Sequence, residues 1–353
     1  MNDKPIGFAL VGLGMGGATH ARELNKFEGA RIAAAYGRSE EKVNAFAREF
    51  DVPKAYTDYD ELLADPEVDV VSILTPNGLH GKFAIAAAEA GKHLLVEKPL
   101  EITTERAVEI IDACERNGVT LSAVFQMRFG DSAQRLKAAI DEGRMGEILI
   151  ADAFDKEGRP PEYYSRDYWR GTREFEGGGS LITQSIHVLD LLGWLAGPIE
   201  SVYAKTRTAR HAIETEDYVA AIATFENGAT GMIESSTAVL PALKARIEIH
   251  GTEGSAIING EWDETYLWAM GDDERIDTPS YFKFTDTEDP RTMPEARHAR
   301  VFADVVAAIR GEGEPLVTGR EALASVALCE AIYRSAETGK EVSVRELLAA
   351  AGA

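Results

Sequence analysis

Short apolar runs alternate with amphipathic helical runs between residues 6 and 125 of the chain. The predicted strands are Ile6–Val11, Arg31–Tyr36, Val68–Leu74, His93–Val96 and Leu121–Phe125. The predicted helices between them include Glu40–Phe50, Lys82–Ala90 and Thr104–Asn117. Strands that are apolar throughout, rather than at every second position, are typical of a parallel sheet covered on both faces. This part of the chain is therefore predicted to fold as a doubly wound α/β domain.

The pattern changes after Phe125. A helix is predicted at Asp131–Glu142, a strand at Ile148–Asp155 and a long helix at Ser180–Ala196. Strand-like runs with no helix between them then follow at Ser201–Thr206, Tyr218–Phe225, Gly231–Ser236, Arg246–Gly251 and Ser255–Ile258. A polar loop (Gly271–Pro294) precedes two closing helices, Glu295–Arg310 and Arg320–Thr338. We therefore predict two domains, 1–126 and 127–353, the second an α+β domain with a large, mostly antiparallel, open-faced sheet.

The charge of the chain restricts the class of partner. Its 353 residues include 37 Lys and Arg against 59 Asp and Glu, a net charge of -22. Such a surface repels nucleic acid and anionic membranes, so we expect a small-molecule partner. The first apolar run is too short and glycine-rich for a signal peptide, and no run reaches the ~18 apolar residues of a membrane helix. Cys114 and Cys329 lie in helical patterns, which favours reduced thiols and the cytoplasm. No metal site is predicted.

A glycine-rich turn follows the first predicted strand. The residues of this turn with predicted cofactor roles are Gly12, Gly14, Met15, Gly16 and Gly17. The first glycine permits the tight turn, the second lets the backbone approach a pyrophosphate, and Gly17 allows close packing of the helix on the strand. Because the turn opens a helix, whose N-terminus binds anions, this segment is predicted to hold a dinucleotide.

Tyr36 ends the second predicted strand and is followed by Gly37, Arg38 and Ser39. NAD-specific proteins usually offer Asp or Glu here to the ribose hydroxyl. A guanidinium can instead pair with a 2′-phosphate or stack on adenine, so NADP is favoured over NAD. The alternative is that Arg38 merely caps a turn in solvent.

Polar residues also follow the ends of two later strands. Those with predicted cofactor roles are Thr75, Pro76, Asn77 and His80 after the third strand, and Glu97 and Lys98 after the fourth. In an open parallel sheet, ligands bind beyond the carboxyl ends of the strands. We therefore expect these residues to line one site, with Lys98 beside the nicotinamide.

Several segments together resemble the Gfo/Idh/MocA family of sugar and cyclitol dehydrogenases, over nearly the full length of the chain. They are GLGMGG, LTPNGLH, AGKHLLVEKP, QMRF at Gln126–Phe129, and the segment GGGSLITQSIHVLDLLGWLAG at Gly177–Gly197. The resemblance implies that Lys98 hydrogen-bonds the reacting oxygen and that His187 exchanges its proton, while hydride passes to or from the nicotinamide. It further implies a cis Lys98–Pro99 type bond, a homodimer or homotetramer, and a sugar, sugar derivative or cyclitol as substrate.

One position departs from that family pattern. Many relatives carry an aspartate four residues before the histidine, where this chain has Thr183. A hydroxyl can orient an imidazole but supplies no charge, so Lys98 is expected to carry more of the proton chemistry. Asp190 either substitutes for the missing aspartate or has a helix-surface or structural role. Gly177–Gly179 are predicted to give a flexible approach to this helix.

Residues in and before the histidine helix are also assigned to the substrate. The predicted contacts are Arg128, Tyr164, Thr183, Gln184 and His187. The loop before this helix contains the segments Arg159–Tyr164 and Tyr168–Gly171, and we call it the aromatic loop. Its arginines, with those that flank these segments, are Arg159, Arg166, Arg170 and Arg173. They suit an anionic substituent of a sugar, or else this loop packs across a subunit boundary.

Two other functions stay open on the sequence alone. Some relatives cleave glycosides with a tightly held NAD that is oxidised and reduced in turn, so that no net cofactor turnover occurs. A fold of this class can also serve as a non-catalytic, nucleotide-sensing regulator.

Overall fold

The computed structural model describes residues 4–271, 273, 275–277, 284–285 and 296–353. Within these residues the strands are β1 (Ile6–Val11), β2 (Ala30–Tyr36), β3 (Ala55–Tyr56), β4 (Val70–Ile73), β5 (His93–Val96), β6 (Leu121–Ala123), β7 (Ile148–Lys156), β8 (Ile199–Arg207), β9 (Tyr218–Phe225), β10 (Thr230–Ser236), β11 (Ala242–Gly251), β12 (Gly254–Asn259), β13 (Glu264–Met270), β14 (Ile276–Asp277), β15 (Phe284–Thr285) and β16 (Val342–Ser343). The α-helices are α1 (Met15–Leu24), α2 (Glu40–Glu49), α3 (Tyr59–Leu63), α4 (His80–Glu89), α5 (Thr104–Asn117), α6 (Asp131–Asp141), α7 (Pro161–Ser165), α8 (Ile186–Ala196), α9 (Ala296–Ile309), α10 (Gly319–Thr338) and α11 (Val344–Ala351). Tighter 3₁₀ turns lie at Asn77–Leu79 and Gln126–Phe129, and a wider π-helical turn lies at Ser180–Ser185.

The chain divides into two compact units. The first comprises residues 1–101, 105–126 and 295–323, and the second comprises 102–104, 127–294 and 324–353. The predicted domain boundary after residue 126 coincides with one of these divisions. The prediction assigns all later residues to the second domain, whereas 295–323 belong to the first unit.

The sheet of the first unit has six strands among the described residues, in the order β3-β2-β1-β4-β5-β6. Every neighbouring pair is parallel. The strands are buried almost throughout, because helices follow them along the chain and cover both faces. The predicted doubly wound α/β fold is confirmed. The strand order reverses between β1 and β4, where such folds bind ligands.

Helix α9 packs on the first unit although it follows most of the second unit in sequence. The Phe302 ring lies edge-on to Phe8 of β1, with ring centroids 5.8 Å apart, and to His20 of α1 at 5.2 Å. Phe302 is almost fully buried. The apolar face of α9 therefore completes the core around β1, which explains why residues 295–323 do not belong with the second domain.

The second unit contains a larger sheet, with the strand path β14-β13-β12-β11-β7-β10-β9-β8-β16 among the described residues and β15 paired to β11. Its pairs are antiparallel except β7 with β10, so the predicted α+β fold with a mostly antiparallel sheet is confirmed. Strand β13, at Glu264–Met270, was not predicted. The predicted loop at Gly271–Pro294 lies largely outside the described residues.

The two faces of this sheet differ. Helix α8 packs against β7 and β11 on one face. Large apolar side chains on adjacent strands remain exposed, among them Tyr203, Ile222 and Met232. These residues are aligned across β8, β9 and β10, so they form one continuous row, which we call the apolar row. None of the helices in the described ranges is long and apolar enough to cross a membrane.

Candidate active site

The glycine turn after β1 is built by close backbone packing. Gly12 has a φ of +116°, and a Cβ there would lie 2.3 Å from the Leu74 carbonyl oxygen. A Cβ on Gly17 would lie 2.3 Å from the Gly12 carbonyl oxygen. Around Gly14, in contrast, a Cβ meets nothing within 4 Å. The turn is therefore closed toward the sheet and open on the side where α1 begins.

The start of α1 suits an anion. Gly14 is the N-cap, and no acidic side chain lies in the first turn of this helix, which includes the exposed Met15 and the half-buried Gly16. The backbone N–H groups there face a region of positive helix dipole without a carboxylate nearby in the chain. These features fit the pyrophosphate of a dinucleotide, as the glycine spacing predicts.

The end of β2 packs against the glycine turn. A Cβ on Gly37 would lie 2.6 Å from the Leu13 side chain, so glycine permits this contact. The Ser39 side chain caps α2 by accepting a hydrogen bond from the Lys42 N–H at 3.4 Å, a structural role that was not predicted. Arg38 between them is exposed.

The tips of β1, β4, β5 and β6 lie side by side. The Leu74 N–H donates to the Val11 carbonyl at 2.8 Å, and the Glu97 N–H donates to the Ile73 carbonyl at 2.9 Å. The predicted cofactor residues of three strands are therefore brought to one edge of the sheet. At this edge, among the described residues, the buried Thr75 Oγ1 has no hydrogen-bond partner, which suits a polar ligand.

His80 has a structural position beside that edge. It is fully buried, with its Nδ1 2.8 Å from the Pro99 carbonyl oxygen and its Nε2 2.9 Å from the Thr75 carbonyl oxygen. The ring thereby links the loop after β4 to the loop after β5. Within the loop after β4, Pro76 precedes the short 3₁₀ turn that begins at Asn77. The Lys98–Pro99 peptide bond is cis, and the Lys98 side chain is half-buried.

Glu97 belongs to a charged cluster that was not predicted. Its Oε1 lies 3.2 Å from His20 Nε2, and His20 Nδ1 lies 2.9 Å from Ser72 Oγ. Burial raises the pKa of Glu97, but the hydrogen bond from His20 and the charges of His20, His298 and Lys98 lower it to about 2. Glu97 is therefore an anion beside Lys98. The only sequence signal for this cluster was that His20 falls on the buried face of α1.

The three glycines before the histidine helix serve close packing. A Cβ on Gly178 would lie 2.0 Å from the Tyr333 hydroxyl, and one on Gly179 would lie 1.7 Å from the Glu216 carbonyl oxygen. The Glu216 carboxylate accepts hydrogen bonds from the Gly179 and Leu181 N–H groups, both at 2.9 Å. The backbone of Gly177–Gly179, which was predicted to be flexible, is therefore held in place by these contacts. The predicted helix Ser180–Ala196 begins as a π-helical turn before α8, a form frequent at functional sites.

Two residues of the predicted substrate face are partly exposed. Gln184 and His187 are half-buried, whereas Thr183, which directly precedes Gln184, is buried. Burial raises the pKa of the nearby Glu176 carboxyl to about 7, and Thr183 is among the groups that oppose this rise; Glu176 was not singled out in the sequence. Lys98 belongs to the first unit and His187 to the second, so their predicted meeting stays a prediction.

Arg128 and Asp190 form a buried ion pair. The Arg128 Nε and Nη2 atoms donate to the two Asp190 carboxylate oxygens at 2.8 and 2.7 Å, and Ser325 donates to the same carboxylate at 3.2 Å. Asp190 therefore has a structural role, which is one of the two alternatives for it. Arg128 is only 3% exposed, and this pairing gives the predicted substrate contact a partner within the protein.

The aromatic loop contributes a second buried network. Gln184 Nε2 donates to the Tyr163 hydroxyl at 2.6 Å, and its Oε1 accepts from Arg159 at 3.0 Å. Arg159 also pairs with Glu157, and Arg170 pairs with Asp167. The Tyr164 hydroxyl lies 2.7 Å from Thr237 Oγ1.

This network divides the four loop arginines into two groups. Arg159 and Arg170 have carboxylate partners close in the chain, whereas Arg166 and Arg173 are exposed. Arg173 lies 3.9 Å from Glu337, a distance at which exposed ion pairs are weak. Within the loop, Arg166 and Arg173 are thus the more accessible cations.

Two models of known protein families match the two halves of the chain. Residues 6–125 match the model of the oxidoreductase family with an NAD-binding Rossmann fold, and residues 133–257 match the GFO/IDH/MocA C-terminal domain. The chain belongs to the Gfo/Idh/MocA oxidoreductase family. The resemblance drawn from the sequence motifs is thereby confirmed.

Individual relatives of the chain are sugar and cyclitol oxidoreductases. A 1,5-anhydro-D-fructose reductase from Ensifer adhaerens is 29% identical over 94% of this chain and 97% of its own. A scyllo-inositol 2-dehydrogenase (NAD(+)) from Bacillus subtilis is 31% identical over 71% and 72%. The solved WlbA dehydrogenase from Bordetella pertussis, in complex with NADH and UDP-GlcNAcA, is 32% identical with a TM-score of 0.86, over 96% of this chain and 99% of that one.

Proposed function

We propose that the protein is an NAD(P)-dependent oxidoreductase that interconverts a secondary hydroxyl and a ketone of a sugar, sugar derivative or cyclitol. The observation that carries the proposal is the shared edge of the first sheet. There Gly12 contacts Leu74 at the tip of β4, and Glu97 at the tip of β5 hydrogen-bonds to Ile73. A dinucleotide at the open glycine turn therefore has Lys98 on the same edge. The nicotinamide, when bound, supplies the acceptor or donor of the hydride.

Lys98 and His187 are the groups that we assign to the reacting oxygen. Negative charge develops on that oxygen when a carbinol is oxidised, and an ammonium in a half-buried position stabilises it. Glu97, with its lowered pKa, is an anion next to Lys98 and so favours the charged form of this lysine. An imidazole titrates near neutrality, which suits His187 to take up and return the proton.

The cofactor is proposed to be NADP in preference to NAD, because the exposed Arg38 follows β2 where a carboxylate would repel a 2′-phosphate. Arg38→Asp should lower the ratio of NADP to NAD affinity by about tenfold or more, as expected when a charge-assisted hydrogen bond is lost. Isothermal titration with each cofactor measures this ratio without a substrate. Arg48→Asp, at the exposed far end of α2, is the matched control. An unaltered ratio in Arg38→Asp would show that Arg38 does not contact the 2′-phosphate.

The substrate class is supported by relatives that are named for sugars and an inositol. The test is a screen of the purified protein against sugars, inositols and UDP-sugars with both cofactors, following the absorbance of the reduced nicotinamide. Stoichiometric change of that absorbance with added substrate supports the proposal. Product formation without net cofactor change would instead indicate the glycoside-cleaving reaction. Binding of the cofactor without turnover of any compound in the panel would favour the function of a non-catalytic, nucleotide-sensing regulator.

We also propose a homodimer or homotetramer that covers the apolar row Tyr203–Ile222–Met232, because an exposed apolar patch of this kind marks an interaction site. Ile222 lies at its centre and is 57% exposed. Ile222→Asp should give a monomer in size-exclusion chromatography with light scattering at micromolar concentration, where the parent is a dimer or tetramer. Leu240→Asp changes an equally exposed residue, at 59%, outside the strands and should leave the mass unchanged. A monomeric parent would contradict the proposal.

The cytoplasm is the proposed location. Cys114 and Cys329 are both buried and free, which is consistent with a compartment that keeps thiols reduced.

A further inference from the structure

Three side chains that can bind a metal ion meet within the first unit. They are His20 on α1, Glu97 after β5 and His298 on α9, and one potential ligand atom from each lies within 4.8 Å of the other two. Among the described residues they are the one group of three or more histidine, cysteine or acidic side chains this close together. The packing of α9 on α1 brings them together, so no short sequence motif contains the cluster.

The ring of His20 is held in an orientation that suits a metal ligand. It is fully buried, its Nδ1 lies 2.9 Å from Ser72 Oγ, and its Nε2 lies on the side of Glu97. When the Ser72 hydroxyl accepts a hydrogen bond from a protonated Nδ1, the lone pair of the ring is on Nε2 and faces the cluster. Histidine ligands of metal ions are commonly fixed by such a hydrogen bond at the second ring nitrogen.

Glu97 supplies an anionic oxygen at a suitable distance. Its pKa of about 2 keeps the carboxylate ionised at neutral pH, as metal binding requires. The Lys98 N–H donates to Oε2 at 3.1 Å, while Oε1 lies 3.2 Å from His20 Nε2. Bonds of about 2.0 Å to a tetrahedral zinc ion place two ligand atoms about 3.3 Å apart. The oxygen and the nitrogen therefore already have the spacing of two ligands that share one ion.

His298 completes the donor set from α9. Its ring is half-buried, and its centroid lies 5.8 Å from that of His20. The limit of 4.8 Å for the whole cluster is wider than the spacing in a tetrahedral site, so binding has to draw the side chains together. Two imidazoles and one carboxylate suit Zn²⁺ or Co²⁺, whereas Mg²⁺ and Ca²⁺ prefer oxygen ligands. Three protein ligands leave the fourth position of a tetrahedral ion to water.

We propose that His20, Glu97 and His298 form a binding site for a divalent transition-metal ion, and that Zn²⁺ is the ion that suits their donor atoms best. The bound ion joins α1, the tip of β5 and α9, and thereby fastens α9 to the rest of the first unit. It stabilises the folded protein, because the unfolded chain does not bring the three ligands together. The positive charge of the neighbouring Lys98 opposes a dication, so we expect a dissociation constant in the micromolar range. The inference goes beyond the proposed function and does not depend on it.

The experiment is a titration of the whole protein with Co²⁺ after dialysis against a chelator, without cofactor or substrate. Calorimetry measures the affinity, and the visible absorption of Co²⁺ reports its coordination geometry. The parent should bind one Co²⁺ per chain in a tetrahedral site, Zn²⁺ should compete for that site, and Mg²⁺ should not. Ser72→Ala keeps the three ligands but removes the partner of His20, and it should raise the dissociation constant by about tenfold. His298→Gln removes a ligand and should raise it by about tenfold or more.

The matched control is His250→Gln. His250 Nε2 lies 3.7 Å from Glu248 Oε2 in a histidine–glutamate pair of the second unit, and this change should leave the affinity for Co²⁺ as in the parent. Zn²⁺ at about a hundred times its dissociation constant should also raise the unfolding temperature of the parent by about 2 °C or more, but not that of His298→Gln.

Equal affinity for Co²⁺ in His298→Gln and the parent would overturn the proposal, as would the absence of saturable binding by the parent. Circular dichroism shows whether each variant is folded. If Ser72→Ala fails to fold, the comparison of His298→Gln with His250→Gln decides alone, because each removes one imidazole and only the first lies in the cluster.

Discussion

Lys98→Ala should retain cofactor binding and lose turnover by about two orders of magnitude or more, which corresponds to about 2.7 kcal/mol of transition-state stabilisation. The reason is that the ammonium acts on an oxygen whose charge develops only as the reaction proceeds. The lysine lies at the half-buried tip of β5 rather than in the glycine turn, so the affinity for the dinucleotide should change little. Steady-state kcat and a separate titration of the cofactor measure the two quantities.

The matched control is Lys92→Ala, at the opposite end of the same strand. The Lys92 ammonium donates to the Asp65 and Val68 carbonyls at 3.1 and 2.9 Å. Its removal therefore tests the loss of an ammonium that is remote from the carboxyl ends of the strands. This variant should keep the turnover of the parent. Unchanged turnover in Lys98→Ala would remove Lys98 from the mechanism.

The first sheet was predictable because its signals are local in the chain. Strands β1, β2, β4 and β5 are largely buried on both faces, and a buried parallel strand is apolar at nearly every position. The short pieces β3 (Ala55–Tyr56) and α3 (Tyr59–Leu63) were not predicted, since so few residues give no periodic pattern. The packing of α9 on β1 was also not predicted, because its amphipathic pattern identifies a buried face but not what covers it.

The candidate site likewise has features that could be predicted from the sequence and features that could not. The glycine turn and the polar strand tips follow from the chain order, because parallel strands place their carboxyl ends at one edge. The partner of Asp190 does not follow, since Arg128 lies 62 residues earlier and only the packing of the second unit brings them together. The π-helical turn at Ser180–Ser185 likewise depends on Glu216 and Tyr333, which are distant in sequence.

Arg128→Met should destabilise the second unit by about 3–5 kcal/mol, because it leaves the Asp190 carboxylate buried without its cation. Both partners are nearly inaccessible, at 3% and 0% exposed, so water cannot replace the guanidinium. The Ser325 hydroxyl, at 3.2 Å from Asp190 Oδ1, offers one hydrogen bond and no charge. Urea denaturation followed by tryptophan fluorescence measures the loss, since Trp194 lies beside Arg128.

The double variant Arg128→Met/Asp190→Leu separates the cost of an unpaired charge from that of lost packing. If the loss in Arg128→Met comes from the orphaned carboxylate, removing that carboxylate should restore a large part of the stability, because a buried ion pair and an apolar pair of similar volume are often close in free energy. Arg135→Met is the control for the loss of an arginine side chain as such, because the Arg135 guanidinium stacks on the Trp268 ring rather than pairing with a buried carboxylate. A double variant as unstable as Arg128→Met would mean that the arginine acts through shape, and that the charge of Asp190 is compensated by other groups.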